Sequence, residues 1–236
     1  MKTRKSYEVK PSGSKRLREV ECRLRAAHGQ PRHHNPADPI DDLIFVVLSR
    51  MTQEVKYLRT YQALREEMPS WGVVMDAPAG NLEAMIQDAG LAPTKSRQIK
   101  AILKEIEARE GALNLSRLRD LSDDAVEAYL TSLPGVARKT ARCVMLYALD
   151  RDACPVDTHV WRIMRRLGIA PEKSWSESNA RRLEEAIPRF LRCSLHVTLI
   201  AHGRSICRAR RPRCRECVLS SLCPSADRVS NAGHAA

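Results

Sequence analysis

Four cysteines near the C-terminus have the spacing of a metal-binding segment. They follow the pattern C-x6-C-x2-C-x5-C and are Cys207, Cys214, Cys217 and Cys223. Four thiolates so close in sequence can bind one centre, either structural zinc or an iron–sulfur cluster. The unequal gaps favour the cluster, because a zinc ribbon usually pairs two short knuckles. Two disulfides or four unrelated thiols are the alternatives.

Several arginines lie among these cysteines, so the segment could bind a polyanion. Four of them are candidate contacts to nucleic acid, namely Arg204, Arg208, Arg210 and Arg211. The whole chain is also basic, since 40 Lys and Arg stand against 28 Asp and Glu, a formal charge of +12. This balance suits nucleic acid better than a small acidic ligand, although a basic surface can also serve solubility alone. Two Phe and five Tyr are too few for single-strand stacking platforms, which favours duplex DNA.

A second chemical motif lies in the middle of the chain, in the segment LPGVARKTA at residues 133–141. Pro134 and Gly135 interrupt one helical pattern, and Lys139 stands at the start of the next. The backbone N–H groups that open the second helix can hold a phosphate without reading a base. An ordinary helix–turn–helix elbow would give the same pattern. Asp157, in the later segment PVDTH, is by itself better interpreted as a helix N-cap than as a catalyst.

The elements that must position these residues are helical almost throughout, and the predicted class is all-α. Asp38 is predicted to cap a buried helix opened by Pro39, and Ser174 with Glu177 to form a capping box for a helix ending at Pro188. The other predicted helices are 17–27, 56–67, 82–89, 95–108, 123–131, 139–149, 158–167 and 190–202.

The remaining cysteines and the N-terminus bear on the cellular compartment. Cys22, Cys143, Cys154 and Cys193 lie in apolar or helical patterns and are predicted to be small buried residues, which indicates a reducing compartment. The basic N-terminus has no apolar segment of a signal peptide, and no run reaches the roughly 18 apolar residues of a membrane helix. A soluble cytoplasmic protein without a membrane partner is therefore expected.

Together these segments resemble the endonuclease III family of helix-hairpin-helix DNA glycosylases. LPGVARKTA resembles the family's LPGVGRKTA hairpin, and VDTHV at 156–160 resembles its VDTH segment. The segment HGR at 202–204, followed by the four cysteines, is similar to the lead-in and spacing of the family's [4Fe-4S] loop. Gly90-Leu91 with Thr94-Lys95-Ser96 resembles a second turn that contacts the DNA backbone.

The resemblance implies a monomer with two domains and DNA in the cleft between them. A six-helix domain would span 38–152, and a cluster domain would combine 14–37 with 153–226. Residues 1–13 and 227–236 would be disordered tails. The implied DNA contacts are Met51, Gln53, Lys95, Gly135, Ala137, Arg138 and Thr140, with the four arginines named above.

The resemblance also implies the chemistry. Lys139 would attack C1′ of a flipped, damaged nucleotide, and the resulting Schiff base would permit β-elimination at the abasic site. A free lysine has a pKa of about 10.4 and must lose its proton before it attacks. Asp157 would accept that proton or stabilise the cationic sugar.

Two positions depart from the family pattern. Ala137 replaces the second hairpin glycine, which loosens the closest approach of backbone to phosphate. Met51 stands where the family's L-S-x-Q-x-T-D turn has the glutamine that enters the space left by the flipped base. Methionine can act as an apolar wedge but cannot hydrogen-bond the orphaned base as an amide does. A shifted register would give this place to Gln53.

Two other functions remain open at this point. A monofunctional adenine or mismatch-thymine glycosylase of the same superfamily would release a base without cleaving the strand, and the resemblance disfavours it because those relatives place another residue at the Lys139 position. A non-enzymatic DNA-binding module with a structural metal would form no Schiff base.

Overall fold

The computed structural model describes residues 11–31, 33–170 and 174–226, so most of the two predicted tails lies outside the described residues. Helices and turns, without strands, make up the described ranges, which confirms the predicted all-α class. Within those ranges, no helix combines the length and the apolar character needed to cross a membrane.

Eleven α-helices lie in the described part of the chain. They are α1 (Pro11–His28), α2 (Pro39–Ser49), α3 (Glu54–Glu67), α4 (Trp71–Asp76), α5 (Ala79–Met85), α6 (Ala92–Glu110), α7 (Asp123–Thr131), α8 (Arg138–Tyr147), α9 (Thr158–Arg166), α10 (Glu177–Ala186) and α11 (Arg189–Ser205). Short 3₁₀ helices occur at Gln87–Ala89, Ser116–Asp120, Cys214–Glu216 and Ser220–Leu222.

Two sequence predictions about helices need correction, and one short helix was not predicted. The predicted helix 82–89 is α5 followed by a 3₁₀ turn, and the short α4 was not predicted. The predicted capping box of Ser174 and Glu177 is wrong, because the Ser176 hydroxyl accepts from Asn179 N at 3.1 Å and makes Glu177 the first helical residue. Cys143 and Cys154 are buried as predicted, whereas Cys22 and Cys193 are exposed.

The chain divides into two compact units. The first joins Met1–His33 with Asp152–Ala236, and its core is built from apolar side chains of α1, α9, α10 and α11. Leu17, Val20 and Leu24 recur at helical spacing on one face of α1 and are fully buried there. Arg16 fixes this helix to the far end of the chain, because its Nη2 donates to Leu167 O at 2.6 Å and to Leu222 O at 2.9 Å.

The second unit, His34–Arg151, is organised around α2. Asp38 caps this helix as predicted, accepting from Ile40 N at 2.8 Å and Asp41 N at 3.1 Å. Every residue from Leu43 to Leu48 is buried, so α2 is apolar on all sides and packs against α3, α6 and α8. The unit therefore carries the hairpin helices α7 and α8 on a continuous core.

One carboxyl group in α2 is enclosed without full hydrogen bonding. Asp42 is fully buried; its Oδ1 accepts from Asn35 Nδ2 at 2.6 Å, while Oδ2 has no partner. Burial raises the pKa of Asp42 to about 7, against the smaller opposing effect of the Asn35 hydrogen bond. The folded protein thus keeps a proton that the unfolded chain releases above its ordinary pKa of 3.8.

We expect this residue to make the protein less stable as the pH rises from about 4 to 7. In that window the folded state binds the proton and the unfolded state does not, so unfolding is favoured by up to about 1.4 kcal/mol per pH unit. Asp42→Asn should remove this slope in denaturant unfolding measured at pH 5 and pH 7.5. Asp76→Asn, at an exposed carboxylate, is the control and should keep the slope. Equal slopes in Asp42→Asn and the native chain would refute the assignment.

Candidate active site

The hairpin between α7 and α8 places Lys139 at the start of a helix. Ser122 caps α7 by accepting from Ala125 N at 3.3 Å, and the turn is closed by Val136 N donating to Leu133 O at 3.1 Å. No side chain caps α8 at Ala137. The first amides of α8 can therefore bind an external anion, and the exposed Lys139 ammonium stands beside them.

Gly135 is required at the turn because its φ of +69° lies in the left-handed region. A Cβ there would also displace the amide of Gln98, whose Nε2 would lie 2.8 Å away. Gln98, from α6, donates to Gly135 O at 2.9 Å and to Pro134 O at 3.3 Å. Helix α6 thus supports the hairpin by donating hydrogen bonds to the carbonyl groups of the turn. The amides at the start of α8 remain available to bind an anion.

Of two hairpin side chains predicted to contact DNA, one has another partner and one is buried. Arg138 Nε donates to Glu127 Oε1 at 2.9 Å, an ion pair that ties α8 to α7. Thr140 is buried, so its side chain does not lie on the surface where a contact was predicted. The sequence could not distinguish a side chain that contacts DNA from one that faces the protein interior. Both residues follow the turn, and they face inward only because α7 and α8 pack together.

The predicted wedge residue lies at the tip of a tight turn. We call residues 48–53, the end of α2 and the turn that follows, the Met51 loop. Met51 has a φ of +52° and is 92% exposed. A residue other than glycine in this left-handed conformation costs roughly 1–2 kcal/mol. Gln53 is also exposed and begins α3 as its N-cap, without a side-chain capping bond.

A second exposed apolar residue, Leu91, was predicted from the sequence only as part of a turn that contacts the DNA backbone, not as a wedge. It has a φ of +52°, is 54% exposed and immediately precedes α6. Its turn lies against the Met51 loop, since Thr52 Oγ1 donates to Ala89 O. The available signal was an apolar residue between Gly90 and a helix opened by Pro93, where a polar N-cap is usual.

The Lys95 side chain does not extend into solvent, so its ammonium group does not lie where it could contact DNA in this structure. Its side chain is 3% exposed. Its Nζ donates to Leu48 O and Arg50 O, both at 2.7 Å, to Ala89 O at 2.8 Å and to Thr52 Oγ1 at 2.9 Å. Burial, and secondarily the Arg50 guanidinium, lower the pKa of Lys95 to about 8.

In the other unit, Asp157 caps α9 as the sequence predicted. Its Oδ1 accepts from Val160 N at 2.8 Å and from His159 N at 2.9 Å, and the residue is half-buried. Because both cap bonds use Oδ1, the cap does not occupy Oδ2. Gly203 in α11 permits close packing behind this cap, since a Cβ there would lie 2.6 Å from His159 Nδ1.

The four C-terminal cysteines line one open cavity. Arg166 Nη1 donates to Cys207 Sγ at 3.1 Å, and Cys217 Sγ lies 3.3 Å from His202 Nε2. Burial raises the pKa of both Cys214 and Cys217, and neighbouring thiolates raise it further. Among the described residues, no group of three or more His, Cys, Asp or Glu side chains is close enough together to hold a single metal ion.

The four arginines of the cysteine segment that were predicted to contact DNA lie on the protein surface. Arg204, Arg208, Arg210 and Arg211 are all exposed. The loop that carries the last three is fixed to α9, because Arg166 Nη1 donates to Arg208 O at 2.8 Å and its Nη2 to Ala209 O at 3.1 Å. The cysteine segment therefore presents positive charge from a backbone that α9 holds in place.

The chain is similar in sequence to known DNA repair proteins. Residues 44–189 match the family model described as HhH-GPD superfamily base excision DNA repair protein. Endonuclease III of Escherichia coli (strain K12) is 30% identical over 218 residues, covering 92% of this chain and 98% of that protein. A candidate DNA glycosylase of Arabidopsis thaliana is 35% identical over 165 residues, which cover 70% of this chain and 56% of that protein. The chain thus spans only about half the length of the plant relative.

Solved structures extend the likeness to three dimensions. A non-covalent endonuclease III–DNA complex superposes with a TM-score of 0.77 at 28% identity, covering 92% of this chain and 98% of that one. A thermostable thymine-DNA glycosylase gives a TM-score of 0.76 at 19% identity, covering 91% and 98%, a likeness that concerns the fold alone. The predicted family resemblance and helix-hairpin-helix glycosylase fold are confirmed.

Proposed function

Because the chain belongs to the HhH-GPD superfamily of base excision DNA repair proteins, we propose that it releases oxidised pyrimidines from duplex DNA and then cleaves the strand at the abasic site. The observation that carries this proposal is Lys139, an exposed amine at the uncapped N-terminus of α8. The helix amides would hold a phosphate of the strand while the amine reaches the adjacent sugar.

In the proposed reaction the neutral Lys139 amine attacks C1′ of the flipped nucleotide. The N-glycosidic bond breaks, and its electron pair leaves with the base, which takes up a proton. The C1′–O4′ bond of the sugar ring then breaks, O4′ takes up a proton, and an iminium remains between Lys139 and C1′. Removal of a C2′ proton then expels the 3′ phosphate oxygen, which is the β-elimination step.

Asp157 would supply the negative charge that these reaction steps need. Its Oδ1 is used by the α9 cap, and Oδ2 would accept the lysine proton or stabilise positive charge on the sugar. The cap holds the carboxylate in one orientation, so little reorganisation would be required when charge develops.

Met51 and Leu91 would act together on the DNA stack. Both are exposed apolar side chains on neighbouring turns, as expected of wedges that enter a base step and the gap left by a flipped nucleotide. Neither side chain can hydrogen-bond the orphaned base. Discrimination of that base should therefore be weak, and abasic sites, which need the least extrusion, should be the best substrates.

Replacing the proposed wedge tests this directly. Met51→Gln should raise base excision at oxidised pyrimidines several-fold more than strand cleavage at abasic sites, because an amide can bond the orphaned base. Each 1.4 kcal/mol so recovered is worth about tenfold in rate. Gln53→Met is the matched control at the neighbouring candidate position. If Met51→Gln alters both activities by one factor, or neither, another side chain fills the gap.

The four cysteines that line one cavity form a donor set suited to a [4Fe-4S] cluster. Cys207, Cys214, Cys217 and Cys223 would hold it, with the Arg166 guanidinium donating a hydrogen bond to the sulfur of Cys207. When bound, the cluster would cross-link the C-terminal segment and order the loop that presents Arg208, Arg210 and Arg211 to the DNA backbone.

A duplex panel tests the proposed function. The protein is incubated with duplexes that carry an oxidised pyrimidine, an abasic site or an unmodified base, with and without borohydride. We expect base release, strand cleavage and a trapped covalent adduct for the first two duplexes. Base release without cleavage or adduct would indicate a monofunctional glycosylase. Binding without either reaction would indicate a DNA-binding module.

A further inference from the structure

The Met51 loop is held in a conformation that its own residues do not favour. The left-handed backbone at Met51 is unusual for a residue other than glycine, and its 92% exposed side chain has little contact that could stabilise it. The backbone bonds of the turn are long, with Thr52 N to Ser49 O at 3.3 Å and Arg50 N to Val47 O at 3.4 Å. The stabilisation of this turn must therefore come largely from outside it.

Lys95 supplies that stabilisation. Three of its four acceptors, Leu48 O, Arg50 O and Thr52 Oγ1, belong to the Met51 loop and lie on both sides of Met51. The fourth, Ala89 O, belongs to the turn that presents Leu91. An ammonium group has three protons, so the four acceptors share them and are drawn towards one point. One buried charge thus joins the two turns.

Helix α6, which carries Lys95, also connects the Met51 loop to the hairpin. Arg50 Nη1 donates to Gln98 Oε1 at 3.0 Å, and the amide of Gln98 donates to the hairpin carbonyls of Pro134 and Gly135. Lys95 and Gln98 stand three residues apart on α6, at the spacing that places side chains on one face of a helix. Helix α6 therefore fixes the proposed wedge relative to the proposed phosphate-binding turn.

We propose that Lys95 is a positioning residue that holds Met51 and Leu91 ready to enter opened DNA, a role that rests on the proposed function. Because the turn is already ordered, base extrusion would not also require ordering of the loop. Lys95 itself would touch neither DNA nor the reacting atoms. A general contribution to stability is the competing explanation, and it predicts no selective effect on the loop or on one class of substrate.

Helix α6 contains a matched control for this comparison. Lys100 is half-buried, and its Nζ donates to Met75 O at 3.1 Å and to Ala77 O at the end of α4. Lys95→Met and Lys100→Met each remove one ammonium that binds loop carbonyls and keep a similar side-chain length. Only Lys95 binds the Met51 loop. Both variants are expected to unfold at a lower temperature than the native chain.

Hydrogen exchange in the DNA-free protein tests the structural part, independently of any enzymatic activity. In Lys95→Met, amides of residues 48–53 should exchange at least about tenfold faster than in the native chain. In Lys100→Met they should be unchanged, with faster exchange at residues 75–77 instead. Thr52→Val removes one acceptor of Lys95 together with the Thr52–Ala89 hydrogen bond; it should give a smaller effect of the same kind and serves if Lys95→Met does not fold. Equal exchange at 48–53 in the Lys95 and Lys100 variants would overturn the proposal.

Activity on two substrates tests the functional part. Lys95→Met should lower base excision at a paired oxidised pyrimidine about tenfold or more relative to strand cleavage at an abasic site, whereas Lys100→Met should leave this ratio unchanged. An unchanged ratio in Lys95→Met, with fast exchange at residues 48–53, would reject the positioning role. Failure of the proposed function would look different, because the native chain itself would then form no borohydride adduct.

Discussion

Lys139→Gln is expected to abolish the covalent adduct that borohydride traps between the native chain and an abasic or oxidised-pyrimidine duplex. Glutamine keeps a polar side chain of similar reach but has no amine that can form an iminium. Base excision should fall by at least about a hundredfold, equivalent to about 2.7 kcal/mol of lost transition-state stabilisation. Adduct yield and single-turnover excision are the measurements.

The substitution should remove the nucleophile without changing the other parts of the hairpin that bind DNA. DNA affinity should be nearly retained, because the amides at the start of α8 and the Arg138–Glu127 pair are unaffected. Lys104→Gln, at an exposed lysine of α6, is the control and should form the adduct normally. An undiminished adduct in Lys139→Gln would assign the amine to another residue.

Cys217→Ser is expected to remove the metal centre and to destabilise the unit that contains it. Native protein purified without chelators should be yellow-brown, with iron and sulfide in roughly equal amounts, and the variant should be colourless. Cys217 packs partly buried against the core of its unit, so losing the cross-link should loosen that core. We expect a melting temperature lower by about 10 °C, equivalent to roughly 3–5 kcal/mol at this length.

The measurements are metal and sulfide analysis, absorbance and thermal unfolding. Cys22→Ser changes an exposed cysteine on α1 that does not line the cavity, and it should keep both colour and stability. Stoichiometric zinc in a colourless and active native protein would rule out the cluster. Loss of colour without loss of stability would instead show that the centre is dispensable for folding.

The sequence by itself was sufficient for the features that depend on local chemistry. Asp38 and Asp157 cap helices where their side-chain oxygens can reach the next free amides, a choice decided within a few residues. Gly135 is required at the turn for its positive φ, and periodic apolar residues identified most of the helices. The order of hairpin, aspartate and cysteines predicted the family, which the comparisons confirm.

Only the tertiary structure decided what the polar side chains around these motifs contact. A lysine is normally interpreted as a surface residue, yet Lys95 is buried because carbonyl groups of two distant turns converge on its ammonium. Thr140 faces the packed interior, and Arg138 pairs with Glu127 across the hairpin. Leu91 is exposed on a turn that the hydrogen bond from Thr52 Oγ1 to Ala89 O holds against the Met51 loop. Each outcome depends on groups far apart in sequence, which local propensity and periodicity do not report.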